Sequence, residues 1–256
     1  MIVTILGSGT SSGVPLIACR CAVCRSRNPK DKRTRASIWV QSRGKSLIVD
    51  TGPDFRAQAL REKIPRVDAV LYTHPHADHV HGIDDLRAYN FSQKTSIPIY
   101  GHEWTIKEIP QKFSYIFQGH KEGGGIPMLD LHEFDPNVDV MNIVGVPVIP
   151  ILLNHGRQHT MGYRFDTIAY ITDTSYIPTQ SLEKLRGLST LILDCVQVEP
   201  HKTHLNVAAA LEIIEELKPE RTFLTHLGHE FGYNAWMKKG KLPKGVALAY
   251  DGLKIS

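Results

Sequence analysis

The chain has 256 residues, 42% apolar and 22% charged, which suits a globular protein with a sizeable core. No apolar run approaches the roughly 18 residues of a membrane helix. Met1-Ile2-Val3-Thr4-Ile5-Leu6 reaches Gly7-Ser8-Gly9 without the basic lead and apolar stretch of an export signal, so a cytoplasmic protein with no membrane partner is expected, and a net charge of +4 suits an anionic substrate without demanding nucleic acid.

In chain order, Ile2–Leu6, Ala36–Val40, Leu47–Val49 and Val67–Tyr72 are rich in β-branched residues and bounded by Gly, Pro, Asp or Ser, which predicts strands. The stretch from about 101 to 136 is less regular. It holds Trp104, Phe113, Tyr115, Phe117 and the run Gly123-Gly124-Gly125, and reads as an insertion: a lid, a contact surface or a plain surface excursion. The β pattern returns over Val138–Val144, Val146–Leu153, Gly162–Phe165, Ile168–Thr172 and Leu191–Leu193. Apolar residues at Val207, Leu211, Ile214 and Leu217 predict a helix that stops before Pro219, and Thr222–Thr225 reads as a further strand. Strands in both halves with helices between and after them, and no repeat or linker, predict a single α/β (α+β) layered domain over residues 1–256.

Thirteen histidines are the unusual feature. The run Thr73-His74-Pro75-His76-Ala77-Asp78-His79 follows a predicted strand directly, so three imidazoles and a carboxylate can converge from one turn. Those are ligands for Zn, Mn or Fe, and two subsets of them can serve two neighbouring ions. The plain alternative is a His-rich surface loop. Further candidates close later strands: Asn154-His155, Thr172-Asp173 and Thr225-His226. Singly, each has a bland reading as a cap or a backbone-bonded histidine; together they look like the remainder of a dinuclear site, with Asp173 a natural bridge. Cys19, Cys21 and Cys24 crowd into six positions, which favours metal binding over disulfides, whereas Cys195 reads as a core residue. Gly7-Ser8-Gly9 lacks the last glycine of a dinucleotide fingerprint and reads as a tight turn into the cysteine loop.

The succession Leu47-Ile48-Val49-Asp50-Thr51-Gly52, His74–His79, His155, Asp173 and His226 resembles the metallo-β-lactamase superfamily over nearly the whole chain. The resemblance implies an αββα sandwich, two mixed β-sheets flanked by helices, with a dinuclear centre at the sheet edges. It implies that His74, His76 and His155 bind one ion, that Asp78, His79 and His226 bind the other, and that Asp173 bridges them, Asp50 standing near the site without being a ligand. Asp173 and the lack of an export signal set the chain apart from the antibiotic-hydrolysing branch. His76, where flavodiiron proteins carry Glu, and the short stretch after His226 set it apart from flavodiiron proteins and glyoxalase II-like thioesterases, leaving the phosphodiesterases.

Within that branch, Gly7–Pro15 followed by Cys19-Arg20-Cys21-Ala22-Val23-Cys24 resembles the PhnP-like phosphodiesterases. Three thiolates need one more ligand for a tetrahedral structural Zn. The resemblance implies a histidine three residues after the last catalytic one, and His229 stands there. It further implies two catalytic divalent ions (Mn or Zn), a small phosphorylated sugar as substrate and a homodimer. The expected reaction is hydrolysis of a cyclic phosphodiester, 5-phosphoribosyl 1,2-cyclic phosphate to ribose 1,5-bisphosphate, by a metal-bridging hydroxide. Asp78 and His204 are the expected catalytic residues, His204 protonating the leaving alkoxide. A helix N-terminus and nearby cations depress an imidazole's pKa, so His204 needs a compensating carboxylate that sequence does not identify. The carboxylates of His81-Gly82-Ile83-Asp84-Asp85 either orient the ligating histidines or cap a helix. Arg157, His159 and Lys202 hold a second phosphate or are solvated charges, and Arg33 and Arg35 read as solvating the cysteine loop. Two other functions compete: a tRNA 3′-processing endonuclease of the tRNase Z type, and a metal-bound scaffold without activity.

Overall fold

A computed structural model describes residues 1–118, 125–238 and 240–256; Gly123 and Gly124 of the predicted glycine run lie outside the described residues. The first sheet has seven strands, here β1 (Ile2–Gly7), β2 (Ser37–Ser42), β3 (Lys45–Val49), β4 (Ala69–Leu71), β5 (Ile97–Gly101), β6 (Leu129–Glu133) and, from the other end of the chain, β14 (Lys254–Ile255). The second has β7 (Met141–Ile143), β8 (Val146–His155), β9 (Gln158–Phe165), β10 (Ile168–Ile171), β11 (Thr190–Asp194), β12 (Arg221–Thr225) and β13 (Val246–Leu248). Their orders are β14-β1-β2-β3-β4-β5-β6 and β13-β12-β11-β10-β9-β8-β7.

Hairpins supply the antiparallel part of each sheet. β2 and β3 are joined by Arg43 and Gly44, both left-handed (φ 51° and 73°), the turn whose twist matches that of its strands. Crossovers supply the parallel part: α1 (Phe55–Glu62) leads from β3 to β4, and α7 (Val207–Leu217) from β11 to β12. Asn206 caps α7, its side chain accepting from the Ala209 N–H at 3.1 Å, and Lys218 ends it in the left-handed conformation.

Period-2 alternation turns Val3, Ile5, Ile38, Val40, Leu47 and Val49 inward against Val148, Met161, Tyr163 and Tyr170 of the facing sheet. The outer faces are covered by helices. Phe55, Leu86 and Ile109 lie on Leu6, Ile48 and Val70; Ala210 and Leu217 lie among Ile151, Leu193 and Leu224. The layers are therefore αββα, as the resemblance implied. Each fully buried Leu or Ile contributes about 1.5–3 kcal/mol, so three such cores can carry an expensive polar site at their edge.

Several expectations change. The stretch 101–136 is no irregular excursion in its described part: α4 (Glu103–Lys112) and α5 (Ser114–Phe117) lead to the edge strand β6, parallel to β5. The stretch read as irregular because an edge strand with mostly exposed side chains carries little strand pattern. Val138–Val144 shrinks to Met141–Ile143, since Val144 and Gly145 form the turn into β8. Gly7 and Gly9 do not make a tight turn but permit close approach; a Cβ on Gly7 would stand 1.9 Å from the Arg35 carbonyl oxygen. No helix among the described residues is long and apolar enough to cross a membrane.

Candidate metal centre

Strands β10, β11 and β12 are parallel and in register, so their carboxyl ends share one edge, where open α/β sheets place their ligands. Asp173 lies just beyond β10, Asp194 closes β11 and His226 follows β12. In the facing sheet, Asp50 follows β3 and the Thr73–His79 turn follows β4. Asp50, Asp173 and His226 all stand in the left-handed region (φ 66°, 52° and 57°), a conformation costing about 1–3 kcal/mol that turns each side chain toward the gap between the sheets. Close backbone contact fixes the histidine turn. Thr51 N–H donates to the His79 carbonyl at 2.8 Å, and a Cβ on Gly52 would stand 2.0 Å from the Asp78 carbonyl oxygen.

Two donor groups result: His74, His76 and His155, and Asp78, His79, Asp173 and His226, the ligand atoms within each lying no more than 4.8 Å apart. His74 Nε2 is 2.8 Å from His76 Nδ1; His79 Nε2 is 3.1 Å from Asp78 and 3.3 Å from Asp173; His226 Nε2 is 3.4 Å from Asp173. Asp173 touches both groups, since its carboxylate also lies 4.0 Å from His74 Nε2.

Among the described residues, the buried His79 Nε2 and His226 Nε2 make no well-directed hydrogen bond, although carboxylate oxygens stand near them. Imidazole nitrogens aimed past their neighbours at shared space fit a cation, and the mixed His/Asp set suits Zn, Mn or Fe. Electrostatics agrees. Burial, with His79 beside it, pushes His74 well below the usual imidazole range, and burial lowers His76 and His155 too, so this group is neutral, the form that donates to a metal. Burial alone would raise Asp173 and Asp78, but His226 and His79 around the first, and His79 and His226 around the second, hold both below the usual carboxylate range. Conversely, burial opposes charge on His79 and His226, yet Asp173 beside each holds the first well above the usual range and the second near 9. Excess carboxylate with protons held on histidines is a cation-deficient arrangement.

A shell of partners orients these groups. Asp50, fully buried, lies 2.8 Å from His79 Nδ1 and accepts from the Thr73 N–H and hydroxyl at 2.8 and 2.9 Å. His155 Nδ1 is held 2.8 Å from the Thr203 carbonyl. Neither alternative read for Asp84 and Asp85 is seen: Asp84 accepts from the Tyr115 hydroxyl at 2.9 Å and pairs with Arg87, and the helix Arg87–Gln93 that follows has no side-chain cap.

Sequence reasoning missed Asp194. Its Oδ2 lies 3.3 Å from His204 Nδ1 and accepts from the Leu205 N–H at 3.0 Å, while its Oδ1 is 3.5 Å from His226 Nδ1. The available signal was an aspartate directly after an apolar strand, the same pattern that picked out Asp173. The Nε2 of His204 faces Asp173 Oδ1 at 3.9 Å. Arg157 and His159 are exposed in and beside the β8–β9 turn next to His155, and Lys202 is exposed beside Thr203, so all three stand on the rim without touching a donor group.

The second cluster is Cys19, Cys21, Cys24 and His229. His229 Nδ1 lies 3.3 Å from Cys19 Sγ and 3.5 Å from Cys21 Sγ. A tetrahedral zinc with bonds of about 2.3 Å to sulfur and 2.0 Å to nitrogen separates those atoms by about 3.5 Å, so the set fits. The Cys24 N–H donating to Cys21 Sγ pulls that thiol down to about 6, whereas burial pushes Cys24 up to about 11. Arg33 and Arg35 do not solvate this loop. Arg33 is fully buried and donates to the Phe231 carbonyl at 2.5 Å, tying the loop to the segment that carries His229, and Arg35 pairs with Asp54 at 3.1 Å. Cys195 is a buried core residue, as expected.

Residues 45–227 match the Beta-lactamase superfamily domain. Among solved structures, the chain is similar to a new diphosphatase from the PhnP family: 42% identity, TM-score 0.91, covering 99% of this chain and 96% of that one. It shares its fold with Zn-bound PqqB from Methylobacterium extorquens, at 19% identity and TM-score 0.78, covering all of both chains. In sequence it is 34% identical over 252 residues to an octanoyltransferase of Porphyromonas gingivalis, a match covering 98% of this chain but only 50% of that protein, so the chain spans about half that relative's length.

Proposed function

This chain belongs to the β-lactamase superfamily of domains, with the metallo-β-lactamase fold and PhnP-family likeness, and from that premise we propose that it is a metal-dependent phosphoric diester hydrolase acting on small cyclic phosphodiesters. The substrate proposed is 5-phosphoribosyl 1,2-cyclic phosphate, opened to ribose 1,5-bisphosphate. His74, His76 and His155 would hold one divalent ion, Asp78, His79 and His226 a second, and Asp173 both, with Mn or Zn as the ions; Cys19, Cys21, Cys24 and His229 would hold a structural zinc. Such a pair supplies Lewis acidity to the phosphoryl oxygens and lowers the pKa of water toward neutrality.

The observation that carries the reading is the pair Asp194–His204. A sugar alkoxide leaves poorly unless protonated. Held through Nδ1 by Asp194, His204 presents Nε2 toward Asp173 and the space between the donor groups, where it would give its proton to the departing oxygen. Asp194 fixes the orientation of this ring, as Asp50 does for His79. Arg157, His159 and Lys202 would meet a second phosphate on the rim.

The solved relative's description as a diphosphatase favours a second reading, hydrolysis of a phosphoric anhydride. Phosphate leaves without a proton, so an anhydride would make little use of His204; on that ground the ester ranks first. The same proposal includes a cytoplasmic setting, which keeps the cysteine cluster reduced, and a homodimer.

The test is ³¹P NMR of 5-phosphoribosyl 1,2-cyclic phosphate with Mn-loaded protein, beside a diphosphate diester. Opening to a 1-phosphomonoester, lost in Asp78→Ala, supports the first reading; cleavage of the diphosphate alone replaces it with the second; neither reaction sinks both.

A further inference from the structure

The cysteine loop concentrates the positive charge of the chain. Residues 15–35 hold seven arginines and lysines against one carboxylate, Asp31, a net +6, whereas the whole chain carries +4. A zinc on three thiolates takes back one of those charges. A block of like charge of this size is either a solvated face or a surface for a polyanion, and what each cation touches separates the two.

Four of the seven are engaged within the protein. Arg33 is buried against the Phe231 carbonyl and Arg35 pairs with Asp54. Lys30 Nζ lies 4.3 and 4.2 Å from the ring centroids of Tyr233 and Tyr250, and Lys32 Nζ donates to the Cys24 carbonyl at 3.3 Å. Arg20, Arg25 and Arg27 are exposed, and among the described residues none of them has an ion pair. The nearby carboxylates are occupied: Asp31 accepts from the Tyr233 N–H at 2.7 Å, and Glu230, beside His229, accepts from the Val198 N–H at 3.0 Å. Arg20 stands between two cysteines of the zinc set, and the Arg25 N–H donates to the Cys21 carbonyl at 3.1 Å, so a folded turn rather than a loose tail carries these guanidiniums.

The turn adjoins the metal centre. His229 completes the cysteine set three residues after His226, a donor of the metal centre, so their Cα atoms are no more than about 11 Å apart. Leu227 between them is clamped, its N–H on the Ser8 carbonyl at 2.9 Å and its carbonyl on the Thr10 N–H at 3.3 Å. We propose that Arg20, Arg25 and Arg27 form a docking surface for the phosphate backbone of a single-stranded polynucleotide, outside the metal centre and beside it. Guanidinium groups match phosphate geometry through paired N–H bonds. The loop exposes one large apolar side chain, Ile17, too little for the dry apolar centre of a protein interface. His79, Asp173 and His226 are buried, which holds off a stiff duplex but admits a flexible strand. The choice of a polynucleotide over another polyanion rests on the phosphoric-ester reading.

Fluorescence anisotropy of a labelled oligouridine of about 12 nucleotides, titrated with the zinc-loaded chain, tests this without turnover. Each phosphate contact on a single strand contributes about −0.7 to the slope of log K against log salt, so three arginines predict a slope of about −2 or steeper, roughly a 20-fold loss of affinity between about 50 and 200 mM salt. Exchanging Arg20, Arg25 and Arg27 together for Gln should flatten the slope by about 2, while zinc content and turnover of a small diester stay at wild-type values. The matching exchange for Lys, which keeps the charge, should retain most of the slope. Absence of binding by the wild type at low salt, or an unchanged slope in the Gln variant, overturns the proposal. Equally tight, salt-sensitive binding of a polyglutamate of the same length overturns it in favour of an acidic polypeptide. Oligouridine binding by a protein that opens no phosphodiester would overturn the reaction assigned above and leave the docking surface standing.

Discussion

Asp194 lies 3.3 Å from His204 Nδ1, and it holds that ring from the end of β11 while its other oxygen stands 3.5 Å from His226. One buried carboxylate thus orients both a donor of the metal centre and the imidazole assigned to protonate the leaving group. Exchanging Asp194 for Asn removes the charge but keeps the shape. Turnover of an unactivated phosphodiester should fall about 10- to 100-fold, as for other partners that orient site histidines. Wild-type turnover in Asp194→Asn, measured at saturating metal, would refute the assignment.

His204→Ala separates proton donor from ligand, since His204 also lies near enough to His155 and Asp173 to join a donor set. As the acid, its loss should cut kcat on sugar esters by roughly 10²–10⁴, spare p-nitrophenyl esters much of that loss, and leave the count of bound divalent ions unchanged. Loss of one ion per chain, read by mass spectrometry of the metals, would make it a ligand instead.

Metal removal should expose a pH dependence of stability. In the metal-free site His226 is held near 9 against an ordinary 6.5, so its favourable protonated form is complete below about 6.5 and is lost as pH rises through 9. Asp78 and Asp173, held low, contribute in the opposite sense, above the ordinary carboxylate range and less as acid protonates them. With chelator present, Tm should therefore decline between pH 6.5 and 9, and saturating Mn should flatten the decline, because the ions replace those protons. Parallel Tm curves with and without metal would contradict this account.

Cys21→Ser should remove one zinc equivalent without affecting the ions of the catalytic groups. The loop it anchors is tied through Arg33 to the segment of His229, so a loss of roughly 3 kcal/mol, about 10 °C in Tm, is expected. Retained zinc stoichiometry would show that the four donors do not share an ion.

Gly52→Ala puts a methyl group 2.0 Å from the Asp78 carbonyl oxygen, where backbone must move. Destabilisation of roughly 2–4 kcal/mol is expected, with weaker metal retention because Asp78 moves. Calorimetry beside metal analysis checks both; a neutral effect on each would mean that the turn yields freely.

Much was legible in the sequence because it is local. The strands β1, β3 and β12 and the helix α7 follow from period-2 or helical spacing, and His74, His76, Asp78 and His79 sit within one turn after an apolar run, so their convergence needs only the backbone of that turn. The edge strand β6, with mostly exposed side chains, carries no such signal, and neither do the short β13 and β14. Roles that depend on which strand end faces which were not readable. Asp194 and Asp85 are both aspartates near a predicted site, yet only Asp194, at the carboxyl end of a strand parallel to those before Asp173 and His226, meets imidazoles. Arg33 read as a surface charge until the packing of the cysteine loop on the C-terminal segment buried it. The sequence by itself determined the donor types, their order and the layered fold, since spacing and side-chain chemistry are properties of the chain. Only the tertiary structure decided which carboxylate orients which histidine and which arginine is buried, because hydrogen bonds and burial are set by the register and packing of sheets whose partners lie far apart in sequence.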